Sequence, residues 1–128
     1  MPHWFLVRMR YVALAVGTIA LGLAVHLRGG ALSPVVRDVL GDALWAVMVV
    51  WCMAAVAPAI RLRWRAAGAL GFCFAVEFSQ LFHLPALDAL RRTTVGGLAL
   101  GSGFDPRDFA AYAGGVLTAV LLERASGR

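Results

Sequence analysis

Hydrophobic residues along the chain fall into four long runs, separated by arginines, prolines and glycines. The runs cover residues 11–27, 39–60, 66–84 and 108–123. An α-helix needs about 20 predominantly apolar residues, within a range of about 17 to 25, to cross the hydrocarbon core of a membrane. The pattern therefore predicts an all-α, polytopic membrane protein with a bundle of four transmembrane helices, forming a single integral membrane domain over residues 1–128.

Two parts of the pattern are less regular. The stretch between the third and fourth runs includes "TVGGLALGSGF", which is apolar but rich in glycine and suits an interfacial or re-entrant segment packed against protein. The first run also has features of a signal peptide, because Gly22, Leu23 and Ala24 form a weak small-x-small cleavage site. We expect this first run to be a retained helix.

Composition supports the membrane interpretation. Hydrophobic residues make up 61% of the chain and the mean hydropathy is +0.78, whereas soluble domains have about 45–50% apolar residues. The net charge of +5 comes from twelve arginines against seven acids. These arginines occur singly or in short groups without the base-stacking aromatics of a nucleic-acid binder. We expect the lipid bilayer, and no nucleic acid, as the partner.

The distribution of arginines predicts the orientation of the chain. The short "RLRWR" loop at residues 61–65 is the strongest signal, because short loops count most in the positive-inside rule. With the N-terminus inside, seven arginines lie on the cytoplasmic side and five on the other. The sequence predicts a multi-pass protein of the bacterial inner membrane with both termini in the cytoplasm.

Polar residues within the runs gather toward the outer half of the membrane in this topology. From the helical rise, Asp42 lies roughly 5 Å and Glu77 roughly 10 Å below the outer surface. An acid inside a span is costly, so it normally faces the bundle interior and finds a partner. Glu77 and Gln80 then look inward, while Phe72 and Phe78 face lipid. The predicted polar pocket consists of Asp42, Glu77, Gln80, Arg91, Asp108 and Tyr112.

Several of these residues, and Asp105 beside them, also have a structural interpretation. Glu77 and Gln80 either form interhelical hydrogen bonds that fix the packing or belong to a functional site. Asp42 suits the start of a helix, and Asp105 suits an N-cap before Pro106. Arg91 suits an interfacial anchor.

No catalytic signature is present. The sequence has no HExxH, no GxSxG and no phosphate-cradling loop, and its two cysteines lie in apolar runs. We therefore expect no catalytic residue, no metal and no cofactor, and two free thiols.

Four stretches carry a family resemblance: "GDALWAVMVVW", "AVEFSQLF", "LDALRRTTVGGLALGSGF" and "DPRDFAAYAGG". On these the chain resembles small bacterial membrane proteins of the domain of unknown function 2809 and, more distantly, the VanZ-like proteins linked to glycopeptide-antibiotic resistance. The resemblance implies the fold and the positions of the polar residues but no reaction. Trp45 stands where a His often follows the early acid in VanZ-like proteins. The matching positions are Gly41, Asp42, Ala43, Leu44, Trp45, Glu77, Gln80, Leu81, Asp88, Arg91, Thr93, Gly101, Phe104, Asp108, Tyr112 and Gly115.

Three functions fit these observations. The first is a polar pocket near the outer leaflet that binds a lipid-linked or envelope ligand, in which arginine suits phosphate and the acids suit hydroxyl or amine groups. The second is an accessory subunit of a larger membrane complex. The third is a minimal proton-coupled transporter, disfavoured because the cytoplasmic half looks apolar down to its arginines.

Overall fold

The structure, a computed structural model, describes residues 1–81, 85–95 and 106–126. The described part is helical and contains no β-strand, which confirms the predicted all-α class. A 3₁₀ turn at Gly29–Ala31 joins the first two helices. The helices are α1 (His3–Arg28), α2 (Pro34–Val56), α3 (Leu62–Ser79), α4 (Pro85–Arg91) and α5 (Arg107–Ala125).

The helices do not begin and end where the hydrophobic runs do, because capping residues and prolines set the helix ends. Ser33 caps α2 by accepting a hydrogen bond from the Val36 amide at 3.2 Å, and Pro34 occupies the first turn. The same helix ends at Val56, four residues before the predicted boundary, because Pro58 disfavours helical geometry just before it. α1 begins at His3, before the predicted start at residue 11. Arginine is a good helix former, so Arg8 and Arg10 end the hydrophobic run but not the helix.

The four long helices run antiparallel in chain order, and α2 packs against α1, α3 and α5. Arg10 donates a hydrogen bond to Ser126 Oγ at 3.1 Å, so α1 begins where α5 ends. Arg65 near the start of α3 also contacts Glu123 near the end of α5. We call this end of the bundle the arginine end; it carries Arg8, Arg10, Arg61, Arg63, Arg65 and Arg124. We call the opposite end the acidic end; it carries Asp38, Asp42, Glu77, Asp88 and Asp108.

Alanine and valine fill much of the interior, together with three buried aromatic side chains, and many large apolar residues cover the outside. Val50, Ala69 and Ala119 are fully buried, whereas Phe72 and Phe78 are about half exposed, as predicted. Large contiguous apolar surface marks contact with a membrane or a partner, and small residues at helix interfaces are typical of membrane bundles. By length and composition, α1 and α2 are each able to cross a membrane.

Gly115 of α5 lies in close contact with α2. A Cβ atom built at Gly115 would lie 2.9 Å from Ala46 Cβ and would overlap the carbonyl oxygen of Ala43. A Cβ atom at the neighbouring Gly114 would meet nothing within 4 Å. The absence of a side chain at position 115 therefore sets the distance between α2 and α5, which also carry Asp42 and Tyr112.

Candidate functional site

A buried carboxylate and a phenol meet at the acidic end. Glu77 is fully buried near the end of α3 and accepts a hydrogen bond from the Tyr112 hydroxyl of α5 at 3.0 Å. Glu77 faces inward because it continues the buried row of α3, in which Arg65, Ala69 and Cys73 precede it at four-residue intervals. Tyr112 stands in the first turns of α5 and is only 3% exposed.

Two further carboxyl groups join this pair. Those of Asp42 on α2 and Asp108 on α5 lie within hydrogen-bonding reach of each other, and Asp42 also interacts electrostatically with Glu77. Three helices therefore bring Asp42, Glu77, Asp108 and Tyr112 together, as the sequence pattern indicated. Exposed Asp38, one helical turn before Asp42, adds a fourth carboxyl group nearby.

Gln80 lies next to this cluster. It follows the last residue of α3, is 6% exposed, and its backbone amide donates to the Glu77 carbonyl at 3.1 Å. Gln80 therefore shares the buried side of α3 with Glu77, as expected.

Arg91 is held at the same end by different contacts. Its Nη2 donates to the Ser79 carbonyl oxygen at 2.9 Å and to Ser79 Oγ at 3.2 Å, while Nη1 forms a salt bridge with Asp88 at 3.2 Å. A guanidinium in this position satisfies a carbonyl at the C-terminus of α3 and stabilises the helix dipole. These contacts tie α4, which precedes the glycine-rich segment predicted to be interfacial or re-entrant, to the end of α3. That predicted segment, like Leu84 and Asp105, lies largely outside the described residues.

The described residues leave little open volume at the acidic end. A shallow cleft between α2 and α5, lined in part by Val35, Arg107 and Asp108, has room for about one water molecule. Within the described ranges, no three His, Cys, Asp or Glu side chains are arranged to hold a metal ion. Trp45, one turn after Asp42, has a buried Nε1 with no hydrogen-bond partner among the described residues.

A second buried polar site lies at the arginine end. Arg65, 6% exposed, forms an ion pair with Glu123, 2% exposed, with Nη2 and Oε1 3.2 Å apart. Arg65 Nε also donates to the Ile60 carbonyl at 2.8 Å. The Tyr11 hydroxyl of α1 donates to Glu123, and the Arg65 guanidinium lies 5.6 Å from the centre of the Tyr11 ring. The site joins α1, α3 and α5.

The expectation that this half of the bundle is apolar down to its arginines is therefore wrong. The sequence pattern places Arg65 with Arg61 and Arg63 in the short "RLRWR" loop, whereas in the structure Arg61 and Arg63 are exposed and Arg65 is buried. A signal was nevertheless present, since Arg65 precedes Glu77 by twelve residues and Glu123 follows Tyr112 by eleven. Eleven residues are close to three helical turns, and twelve residues are three successive steps of four along one side of a helix, so each pair lies on the buried side of its helix.

A packed apolar layer separates the two polar sites. Twelve residues along α3 correspond to roughly 18 Å between the levels of Arg65 and Glu77. The residues between them are small and fully buried: Ala46, Val50, Ala69, Cys73 and Ala119. Interiors of this kind are close-packed, so the two sites do not share a continuous polar path in this conformation.

A comparison with protein families matches residues 31–116 to proteins of unknown function, DUF2809. The match contains the converging residues of the acidic end, whereas Tyr11 and Glu123 of the second polar site lie outside it. No solved structure matches the chain. The likeness to VanZ-like proteins stays a prediction. Because the match covers well over half of the sequence, the chain belongs to the DUF2809 family of proteins of unknown function.

Proposed function

We propose that the chain is a four-span protein of the bacterial inner membrane, with its arginine end in the cytoplasm and its acidic end outside. α1 and α2 have the length and apolar composition of membrane spans. α3 and α5 contain 18 and 19 residues, or roughly 27 Å and 28 Å of helix, close to the roughly 30 Å hydrocarbon core. Their buried polar residues face the bundle, which leaves apolar side chains such as Phe72 and Leu117 for lipid.

A topology experiment tests this orientation. Single cysteines replace the exposed Arg63 at the arginine end and the exposed Arg92 at the acidic end, in a Cys52→Ala background. A membrane-impermeant charged maleimide added to intact spheroplasts should label the cysteine at position 92 and spare the one at position 63. Lysed membranes serve as the control in which both positions react. Labelling at position 63 from outside would reverse the proposed orientation.

We further propose that the acidic end binds the head group of an envelope lipid or a lipid-linked precursor. The observation that supports this function is the convergence of carboxyl groups from three helices in a bundle that is otherwise apolar. Like charges placed together and partly desolvated are unfavourable, and packing alone does not require them. A ligand that donates hydrogen bonds or carries a positive charge relieves this cost.

The chemistry of the surrounding groups narrows the ligand class. Asp42 and Asp108 suit an ammonium or hydroxyl group, and the buried indole N–H of Trp45 supplies a donor for an oxygen. Arg107 beside Asp108 in the shallow cleft suits phosphate. The best match is a head group that combines a phosphate with N–H or O–H donors. Because the cleft is small, we propose that the head group enters by displacing side chains at the ends of α2 and α5.

Lipid retention tests this proposal. The protein is purified in mild detergent with equal amounts of phosphatidylethanolamine and phosphatidylcholine, and retained lipids are counted by native mass spectrometry. Phosphatidylethanolamine has ammonium N–H donors, whereas the quaternary ammonium of phosphatidylcholine has none. We expect a preference for phosphatidylethanolamine that falls about tenfold in Asp42→Asn and Glu77→Gln, since hydrogen bonds to charged groups contribute about 1.5–3 kcal/mol.

The control is Asp38→Asn, which makes the same carboxyl-to-amide change at an exposed position one turn earlier and should weaken retention less. Melting temperatures of all variants are measured in parallel. An unchanged preference in Asp42→Asn and Glu77→Gln would contradict the proposal. Loss of folded protein in both would assign Asp42 and Glu77 to packing. Recovery of a stoichiometric second protein in every preparation would favour the accessory-subunit function.

A further inference from the structure

Among the described residues, the arginine end exposes several guanidinium groups and no acid to match them. Arg8, Arg61, Arg63 and Arg124 are exposed, and none forms a salt bridge with a described residue. Glu123 is the acid at this end of the described bundle, and it is buried against Arg65. The exposed surface of this end is therefore strongly positive.

Contacts within the bundle place these arginines at nearly the same level. Tyr11, Arg65 and Glu123 touch one another, so they define one level across α1, α3 and α5. From that level toward the end of the bundle, Arg8 lies roughly 4.5 Å farther along α1. By the same count, Arg63 lies roughly 3 Å farther along α3, and Arg124 roughly 1.5 Å farther along α5. Three helices thus contribute guanidinium groups to a layer only a few ångströms thick.

Two exposed tryptophans accompany this layer. Trp4 is 59% and Trp64 is 61% exposed. The guanidinium carbon of Arg8 lies 5.7 Å from the centre of the Trp4 ring, and that of Arg63 lies 5.4 Å from the Trp64 ring. Exposed indoles are typical of the membrane–water interface, where the ring lies among lipid head groups. An arginine resting on such a ring holds its guanidinium at the depth of the lipid phosphates.

From this arrangement we infer that the arginine end is a binding site for anionic phospholipid head groups, contacted by Arg8, Arg61, Arg63 and Arg124. The inference rests on the membrane insertion and orientation in the proposed function and is independent of the ligand at the acidic end. Charge complementarity identifies the partner, because guanidinium groups bind phosphate in a bidentate manner and the cytoplasmic leaflet is rich in anionic lipid. Zwitterionic lipids carry the same phosphate together with a neutralising ammonium group, so the net negative charge of the anionic lipids provides the selectivity.

The test is competition between phosphatidylglycerol and phosphatidylcholine in detergent micelles, with lipids retained by the full-length protein counted by native mass spectrometry. The unaltered protein should retain phosphatidylglycerol preferentially, and the preference should weaken at high salt. The double variant Arg61→Gln/Arg63→Gln should reduce this preference up to about 30-fold, since each arginine near an anionic surface contributes about fivefold.

A matched control removes two exposed arginines from the other end, in Arg28→Gln/Arg92→Gln. Both double variants have the same net charge, so only a localised site distinguishes them. Equal losses in the two variants, or no preference in the unaltered protein, would overturn the inference. If the chain instead fractionates with soluble protein, the membrane insertion of the proposed function fails as well. A protein that is extracted only with detergent but ignores phosphatidylglycerol overturns the arginine site alone.

Discussion

Replacing Glu123 by glutamine is expected to lower the free energy of unfolding by about 3–5 kcal/mol, because it leaves the buried guanidinium of Arg65 without a counter-charge. The side chain keeps its size, so the loss reports electrostatics and hydrogen bonding and not a cavity. Tyr11 also depends on this carboxylate, and the effect should therefore extend to the packing of α1. The measurement is the unfolding transition of the purified protein in detergent, followed by circular dichroism.

Two variants separate the ion pair from other causes. Arg63→Met removes an exposed arginine two residues from Arg65 and should change the free energy of unfolding by no more than about 0.5 kcal/mol. The double variant Arg65→Met/Glu123→Leu removes both charges and should recover most of the lost stability. A single Glu123→Gln variant as stable as the original protein would show that the ion pair does not hold α3 and α5 together.

Replacing Gly115 by alanine is expected to destabilise the bundle by about 1–3 kcal/mol or more. The added methyl group would lie 2.9 Å from Ala46 Cβ and overlap the backbone of Ala43, so α2 and α5 have to separate. Separation of these helices also moves Asp42 away from Asp108 and Tyr112. The variant should therefore lose both thermal stability and lipid retention at the acidic end.

Gly114→Ala is the matched control for this prediction. It makes the same chemical change one residue away, where a Cβ atom meets nothing within 4 Å. Alanine favours helix over glycine by about 0.8–1 kcal/mol, so this variant should be as stable as the original or slightly more stable. Equal effects at positions 114 and 115 would show that helix propensity, and not the approach of α2 to α5, explains the result.

The two polar sites affect the case for a minimal proton-coupled transporter, the third function suggested by the sequence. A proton-coupled transporter needs polar groups that communicate between the two ends of the bundle. Arg65 and Glu123 supply such groups at the end that the sequence pattern left apolar. The fully buried Val50, Cys73 and Ala119 lie between the sites, however, and close the path in this conformation. The structure therefore removes one argument against transport while giving no continuous route for it.

Much of the architecture follows from sequence pattern alone. Long apolar runs dictate helices, and glycine and proline between them dictate breaks, so the all-α class was predictable together with most of the helix positions. Convergence of Asp42, Glu77, Asp108 and Tyr112 was also predictable, since an antiparallel bundle places the end of α3 beside the starts of α2 and α5. Inward orientation of Glu77 follows from the cost of exposing a carboxylate to an apolar environment.

Other features were decided only by the tertiary structure, because they depend on distances between helices and not on periodicity along one of them. The "RLRWR" pattern predicts that Arg65 is a loop residue, and only the packing of α3 against α5 shows that Arg65 is paired with Glu123. The contacts of Arg91 with Ser79 and Asp88 depend on where α4 lies against the end of α3, which no pattern along the chain predicts. Gly115 lies on the side of α5 that packs against α2, whereas the adjacent Gly114 lies on a side that does not. Hydrophobic pattern determines which face of each helix is buried, whereas packing determines which side chains meet there.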